Sequence, residues 1–258
     1  MHSLRGKRAL IGGGSQGLGR ACAVVLAQAG AHVVVYARSG TKLRTLVEEL
    51  PQPKLHQYIV ADVGDRAELC AAVNALHAQD PFSIVINNTH GPNPGSLAEA
   101  TEASFIEAFA HHVLLNHALL QLVLPSMKAQ KFGRIINILS TSVKTPLPQL
   151  GVSNTIRGAV ASWAKTLATE LGPFGITVNN VLPSTIETPR MEALLENTAQ
   201  RQGISAKAAL QSWIRTIPAG RFGLPEEVAE AVRFLVSPLA GYINGINLPV
   251  DGGRTPSL

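Results

Sequence analysis

The sequence predicts an α/β fold: a single doubly wound Rossmann domain, with a seven-stranded, mostly parallel sheet, helices on both faces and a helical lid. Three observations carry that prediction. Short apolar runs alternate with longer segments of helical period. The runs are apolar throughout rather than at alternate positions, the pattern of strands buried on both faces. No Gly-, Ser- or Pro-rich linker and no repeat divides the 258 residues, so one domain over 1–258 is expected.

In chain order the strand-like runs are RALIGG (8–13), HVVVYA (32–37), LHQYIV (55–60), SIVINN (83–88), GRIINIL (133–139), GITVNNVL (175–182) and GINLPV (245–250). Helical spacing occupies 17–30, 41–50, 65–79, 103–130, 153–171 and 225–237. Repeated β-α-β order with buried strands gives a parallel sheet. Residues 184–220 break the rhythm with two helical patterns and no strand. Ligands of an open α/β sheet sit beyond the carboxyl ends of its strands. An insertion after the sixth strand is therefore placed to act as a substrate lid, over about 189–217.

Composition narrows the function. Hydrophobic residues make up 46% and charged residues 15% of the chain, enough for a sizeable core. The net charge of +5 comes from scattered Lys and Arg without a run of like charge, which argues against nucleic acid and for small anionic ligands. Cys22 and Cys70 sit in apolar helical patterns and read as core residues in a reducing compartment. The first residues pass from a short basic lead into a strand, unlike a signal peptide, and the apolar stretch 21–37 is interrupted by Gln28, Gly30 and His32. A cytoplasmic protein with no membrane partner is expected. No His, Cys and carboxylate set has metal-ligand spacing.

The segment ALIGGGSQGLGRACAVVLAQAG is a strand, a glycine turn and a helix. Gly13, Gly17 and Gly19, with Ser15, Gln16 and Leu18 between them, let backbone N–H groups approach a pyrophosphate at a helix N-terminus. At the end of the second strand an acidic residue would accept from the ribose hydroxyls of NAD. Ala37 and Arg38 stand there instead, and an arginine fork matches a 2′-phosphate, so NADP(H) is favoured over NAD(H).

From end to end the chain resembles the short-chain dehydrogenase/reductases, particularly their 3-oxoacyl-acyl carrier protein reductase-like branch. The resemblance rests on GGGSQGLG, ADV at 61–63, VINN at 85–88, GRIINILS at 133–140, ELGPFGITVNNVLPSTIET at 170–188 and PAGRFGLPEEVAEAVRFLVSPLAGYINGINLPVDGG at 218–253. It implies that Asp62 and Val63 flank an adenine, Asn87 the nearby ribose, and Ile186 with Thr188 the nicotinamide amide. It also implies a homo-oligomer, a tetramer or dimer.

The resemblance fails at the active site. The family carries an Asn, a Ser and a Tyr-x-x-x-Lys pair, and of these only the serine, at Ser140, survives. Ser153 stands in the tyrosine position, Arg157 in the lysine position and His112 in the asparagine position, while NNTH in place of NNAG puts His90 near the expected nicotinamide. Tyr36, Tyr58 and Tyr242 lie in other segments, so no shift of alignment restores the tyrosine.

A serine hydroxyl is a far weaker acid than a phenol, and arginine stays charged, so Ser153 and Arg157 preserve the holding role of the family pair better than its acid role. His90 and His112 are candidate proton donors, because histidine titrates near neutral pH. Against these roles stand plainer ones: histidines lining a helix contact, and Ser153 as a helix-starting residue. A positioned acid contributes about 10²–10⁴ in rate, whereas apposition of donor and acceptor lowers a barrier by roughly 7–11 kcal/mol. Two readings follow. One is an NADP(H)-dependent oxidoreductase acting on a small carbonyl or alcohol, an acyl thioester among the candidates, by an unusual proton route. The other is a catalytically weak or inactive dinucleotide-bound scaffold partnering an active relative.

Overall fold

A computed structural model of the chain describes residues 3–257. Seven strands form one sheet: β1 (Arg8–Gly12), β2 (His32–Ala37), β3 (Gln57–Val60), β4 (Ile84–Asn87), β5 (Gly133–Ile138), β6 (Ile176–Pro183) and β7 (Asn247–Val250). Their order is β3-β2-β1-β4-β5-β6-β7, and every pairing is parallel rather than merely most of them. The order reverses between β1 and β4, which places the binding crevice above their carboxyl ends.

Each face carries its own core. Ile11, Val33, Val35, Ile86, Ile136 and Val181 pack under α1 (Gly17–Gln28), α2 (Gly40–Glu49) and α9 (Pro225–Val236). Leu10, Val34, Val85, Ile135 and Val178 pack under α3 (Arg66–Gln79), α5 (Leu115–Gln130) and α6 (Gly151–Leu171). Burial on both faces holds for β1, β4, β5 and β6, and for all but the ends of β2. It fails for the two edge strands: Gln57, Tyr58 and Val60 of β3 are exposed, and in β7 Asn247 is exposed and the other residues only half-buried. Among the described residues no helix is long and apolar enough to cross a membrane.

Two departures from the sequence reading bear on the site. The helical stretch expected at 103–130 is α4 (Glu102–Phe109) and α5 joined by a π turn, Ala110–Leu114, that carries His112 inward. Helix α6 opens at Gly151, so Ser153 lies inside its first turn and is not the cap; Leu150 holds that position without a side-chain bond. The segment after β6 forms α7 (Pro189–Gln202) and α8 (Ala206–Ile214), capped by Thr188 and Ser205.

Four asparagines in register tie β4 to β7. Asn87 Nδ2 donates to Asn137 Oδ1, Asn137 Nδ2 to Asn180 Oδ1, and Asn180 Nδ2 to Asn247 Oδ1, each at 2.8 Å. The residues are direct partners across the three pairings. Buried amides are stable only when paired, so the row fixes one register. Replacing Asn137 by Ala strands Asn87 Nδ2 and Asn180 Oδ1 in the core and is expected to lower stability by about 3 kcal/mol or more. Asn247→Ala, at the exposed end, strands only Asn180 Nδ2 and is expected to cost about 1–2 kcal/mol. Urea midpoints of the two variants check this, and equal losses would refute a load carried by the centre of the row.

Buried histidines add an acid sensitivity. His56 Nδ1 accepts from Val33 N–H at 3.0 Å, and His77 Nδ1 accepts from Phe82 N–H at 3.1 Å, so both rings are held neutral. Burial lowers the pKa of each, and it pushes His112 down to about 3 with help from the Arg157 charge. The unfolded chain then binds more protons than the native state at acid pH, so stability rises with pH there. It is full above about 6.5 and falls at about 1.4 kcal/mol per pH unit for each group still neutral in the fold. For His112 that window extends down to about 3. Urea unfolding from pH 7.5 to 5.0 should show the decline; a flat profile would contradict it.

Candidate active site

A groove of about 960 Å³ runs over the switch point. One wall is the turn from β1 into α1. Gly13 has φ +62°, and a side chain there would meet Asn88 Nδ2 at 2.7 Å. A Cβ on Gly19 would overlap the Gly13 carbonyl, so only glycine lets the helix start so close to the strand end. Ser15, Gln16, Gly17 and Leu18 line the same wall, and Thr188 closes it from the far side, its methyl 3.4 Å from the Cβ position of Gly17.

Beside this wall Arg38, Ser39 and Lys42 line the groove. Lys42 stands in the first turn of α2, against the helix dipole, and donates to Gln16 Oε1 at 3.0 Å. Among the described residues neither Arg38 nor Lys42 has a carboxylate partner. A cation opposing a helix dipole is stabilised by an anion placed between them, which is what a 2′-phosphate supplies. Asp62 and Val63 face the middle of the groove, Asp62 Oδ1 accepting from Gly64 N–H at 2.8 Å. The wall thus fits NADP(H), with a glycine cradle for the diphosphate and a basic pair for the 2′-phosphate.

Two residues expected beside the cofactor turn their side chains away from the groove. The Asn87 side chain points away from the groove into the asparagine row, because strand alternation sends it to the face opposite its neighbour. Asn88 lines the groove instead, with its Nδ2 on the Gly12 carbonyl at 3.0 Å. The Ile186 side chain is buried against Gly223 and does not line the groove, although its carbonyl accepts from Thr188 Oγ1 at 3.3 Å. Asn88, Lys42 and Arg190 are among the groove residues that sequence reasoning missed. A cation in the first turn of a helix, as at Lys42 and Arg190, is the signal that could have found two of them.

Of the four residues expected in the family's tetrad positions, His112 lines the groove, while Ser153 and Arg157 are joined behind one wall of it. Arg157 Nε donates to Ser153 Oγ at 3.2 Å, and its Nη1 donates to the Ile138 carbonyl at 3.2 Å. Ser140 Oγ accepts from Ser142 N–H at 3.1 Å at the end of β5. None of Ser140, Ser153 or Arg157 lines the groove. Over Arg157 lies Gly91, in a segment pinned to the start of α6 by Gly95 N–H to the Gln149 carbonyl (2.8 Å) and Gly151 N–H to the Gly95 carbonyl (3.2 Å). Arg190 clamps it from outside, donating to the Gly91 carbonyl at 3.2 Å and to the Pro92 carbonyl at 3.4 Å.

Both histidines are neutral in this setting. His112 lines the groove but is buried, engaged by Thr89 Oγ1 at 3.0 Å and by the His90 backbone. His90 Nδ1 meets Arg190 Nη1 at 3.3 Å and so acts as an acceptor, and desolvation with the Arg190 charge lowers its pKa. Arg157 is pushed down to about 10 by burial and then by Arg190, and it stays charged at neutral pH.

Comparison with known proteins agrees with this geometry. The profile of the enoyl-(acyl carrier protein) reductase family matches residues 13–255. The chain is 33% identical to the cyclohexanol dehydrogenase of Rhodococcus sp. (strain TK6), with 98% of each chain covered. It is 32% identical to the 3-oxoacyl-[acyl-carrier-protein] reductase of Aquifex aeolicus (strain VF5), over 97% of this chain and 98% of that one. The structure of L-sorbose reductase from Gluconobacter frateurii, complexed with NADPH and L-sorbose, superposes with a TM-score of 0.92 at 30% identity, over 100% and 99% of the two chains. With the glycine cradle, the strand order and the matched length all in agreement, the chain belongs to the short-chain dehydrogenase/reductase family.

Proposed function

We propose that the protein is an NADP(H)-dependent oxidoreductase that reduces a small carbonyl compound, with the Ser153–Arg157 pair in place of the family's Tyr and Lys as the proton route. The observation that carries this reading is the hydrogen bond from Arg157 Nε to Ser153 Oγ at 3.2 Å. Because Ser153 Oγ accepts there, its own proton is directed away from the guanidinium and is free for a substrate oxygen. NADPH, when bound, supplies the hydride. As the carbonyl is reduced, its oxygen gains an electron pair and takes the Ser153 proton; Arg157 stabilises the serine oxygen until water reprotonates it. Ser140, at the end of β5, offers a second hydroxyl for polarising the carbonyl. The histidines, held neutral, orient the segment 89–92 rather than donate.

Serine is a weak acid, so the chemistry suits activated carbonyls such as diketones and keto-acyl thioesters. The screened position of Ser153 adds a requirement: the segment over Gly91 and the helices α7 and α8, acting as a lid, part to admit substrate. L-sorbose reductase and the 3-oxoacyl reductase, by their names, reduce a ketone and a 3-oxoacyl chain, which supports the carbonyl class without choosing within it.

Two measurements test the reading. Arg38→Ala should weaken NADPH binding by about 10- to 100-fold, read by nucleotide fluorescence, and leave NADH binding unchanged. Equal losses for both nucleotides would remove Arg38 from the 2′-phosphate. In NADPH oxidation over ketones, diketones and keto-acyl thioesters, Ser153→Ala should lower kcat by about 10²-fold or more with the NADPH dissociation constant intact. No turnover with any carbonyl, with NADPH still bound, would favour the scaffold reading that the screened Ser153 also permits.

A further inference from the structure

Arg190 joins two stretches of the groove lining that nothing else joins. It stands in the first turn of α7, beside Thr188, on the chain that leaves β6. Its Nη1 donates to the Gly91 carbonyl at 3.2 Å and meets His90 Nδ1 at 3.3 Å, and its Nη2 donates to the Pro92 carbonyl at 3.4 Å. Those acceptors belong to the chain that leaves β4, and β5 separates the two strands in the sheet. Arg190, Thr188, His90, Gly91 and Pro92 all line the groove. Among the described residues no backbone hydrogen bond connects 89–96 with 184–202. A cation in a first turn opposes the helix dipole, so Arg190 is not placed there for the sake of α7. Its acceptors are neutral, and its bonds are longer than the roughly 2.7–2.9 Å of a strong ionic hydrogen bond, which makes the contact one that can break and re-form. Gly91 makes the fit possible. A Cβ there would stand 3.1 Å from Arg190 Nη2 and 3.1 Å from Arg157 Nη2, so any side chain would press on both guanidinium groups.

We propose that Arg190 is a latch between α7 and the segment 89–92, and that the two part together whenever NADP(H) enters or leaves the groove. The inference goes beyond the reductase reading and does not rest on it, since it requires only that the groove binds the dinucleotide. The far end of the segment is fixed independently of Arg190, by Gly95 N–H on the Gln149 carbonyl at 2.8 Å and Gly151 N–H on the Gly95 carbonyl at 3.2 Å. Residues 89–92 are thus the part that Arg190 alone ties to the helix. A latch that closes equally with and without ligand has no differential affinity for the two states and leaves the equilibrium where it was. It slows entry and exit alike, as a lid does. A side chain that instead touches the nucleotide changes the dissociation rate and the dissociation constant together.

Stopped-flow fluorescence of NADPH with the full chain separates these cases. In Arg190→Met, association and dissociation should both quicken by about 5-fold or more while the dissociation constant stays within about 2-fold. Gly91→Ala, whose methyl would press the segment away from Arg190, should move both rates in the same direction. Amide hydrogen exchange across 89–92, followed without nucleotide, should also quicken in both variants. Faster dissociation with an unchanged association rate would overturn the proposal and assign Arg190 to the nucleotide itself. Unchanged rates, or unchanged exchange across 89–92, would overturn it as well. Because none of these measurements involves turnover, a protein that reduces no carbonyl would still decide the matter.

Discussion

The asparagine row across β4, β5, β6 and β7 is the constraint on which the site depends. Parallel strands made of Val and Ile have little to distinguish one register from the next, since any even shift still buries apolar side chains. Asn87, Asn137 and Asn180 remove that freedom, because each amide is buried and finds its partner only on its in-register neighbour. The groups that leave the carboxyl ends of these strands are thereby set at one level. They are Asn88 to Gly91 after β4, Ser140 just after β5, and Ser184 to Thr188 after β6. The row stops at β4, whose pairing with β1 ends one residue earlier at Ile86 and Ile11, and leaves Asn87 Oδ1 without a partner. Its last member is therefore the residue directly before Asn88, which lines the groove.

Around the groove the chain accepts local costs that its own contacts do not relieve. Lys42 and Arg190 both stand in first turns, where the helix dipole disfavours a cation, and Arg157 is desolvated with Arg190 for a neighbour. No compensating carboxylate reaches any of them among the described residues. Elsewhere the chain does pair its charges, as with Arg20 and Glu49 at 2.5 Å and Arg221 and Glu227 at 2.7 Å. Departures from local rules concentrated in one region mark it as selected for binding rather than for stability.

The fold was legible because buried parallel strands and amphipathic helices leave different periods in the sequence. Strand ends moved by at most two residues and the all-parallel topology followed from the β-α-β rhythm. The exposed β3 was not legible, since its run is as apolar as a central strand's and only its place at the edge exposes it. Asn87 and Asn88 were readable in principle. Val85 and Asn87 share one face by strand parity, so the residue facing the crevice had to be the next one. The placement of Ser153 in the interior of a helical turn also needed the structure, because Gly151 is a poor helix former and hid the true start. Least readable of all was the closure of Gly91 over Arg157. It depends on Gly95 meeting Gln149 and Gly151 across more than fifty residues of chain, and no local pattern encodes that approach.

That closure bears on how Ser153 and Arg157 fit together. Neither side chain lines the groove, and the segment 89–96 occupies the approach to them. Gly91 leaves little room there, since a Cβ on it would stand 3.1 Å from Arg157 Nη2. Arg157 fills part of the volume between the serine and the groove, and its guanidinium meets Ser153, Ile138 and the edge of Gly91 at once. A lysine could not make these contacts together, because an ammonium is a single point and the guanidinium is a fork. The short hydroxyl and the broad cation are thus fitted to each other. Placing tyrosine alone at position 153 would set a phenol against the Arg157 guanidinium that now bonds Ser153 Oγ, whereas Ser153→Tyr with Arg157→Lys removes the fork at the same time.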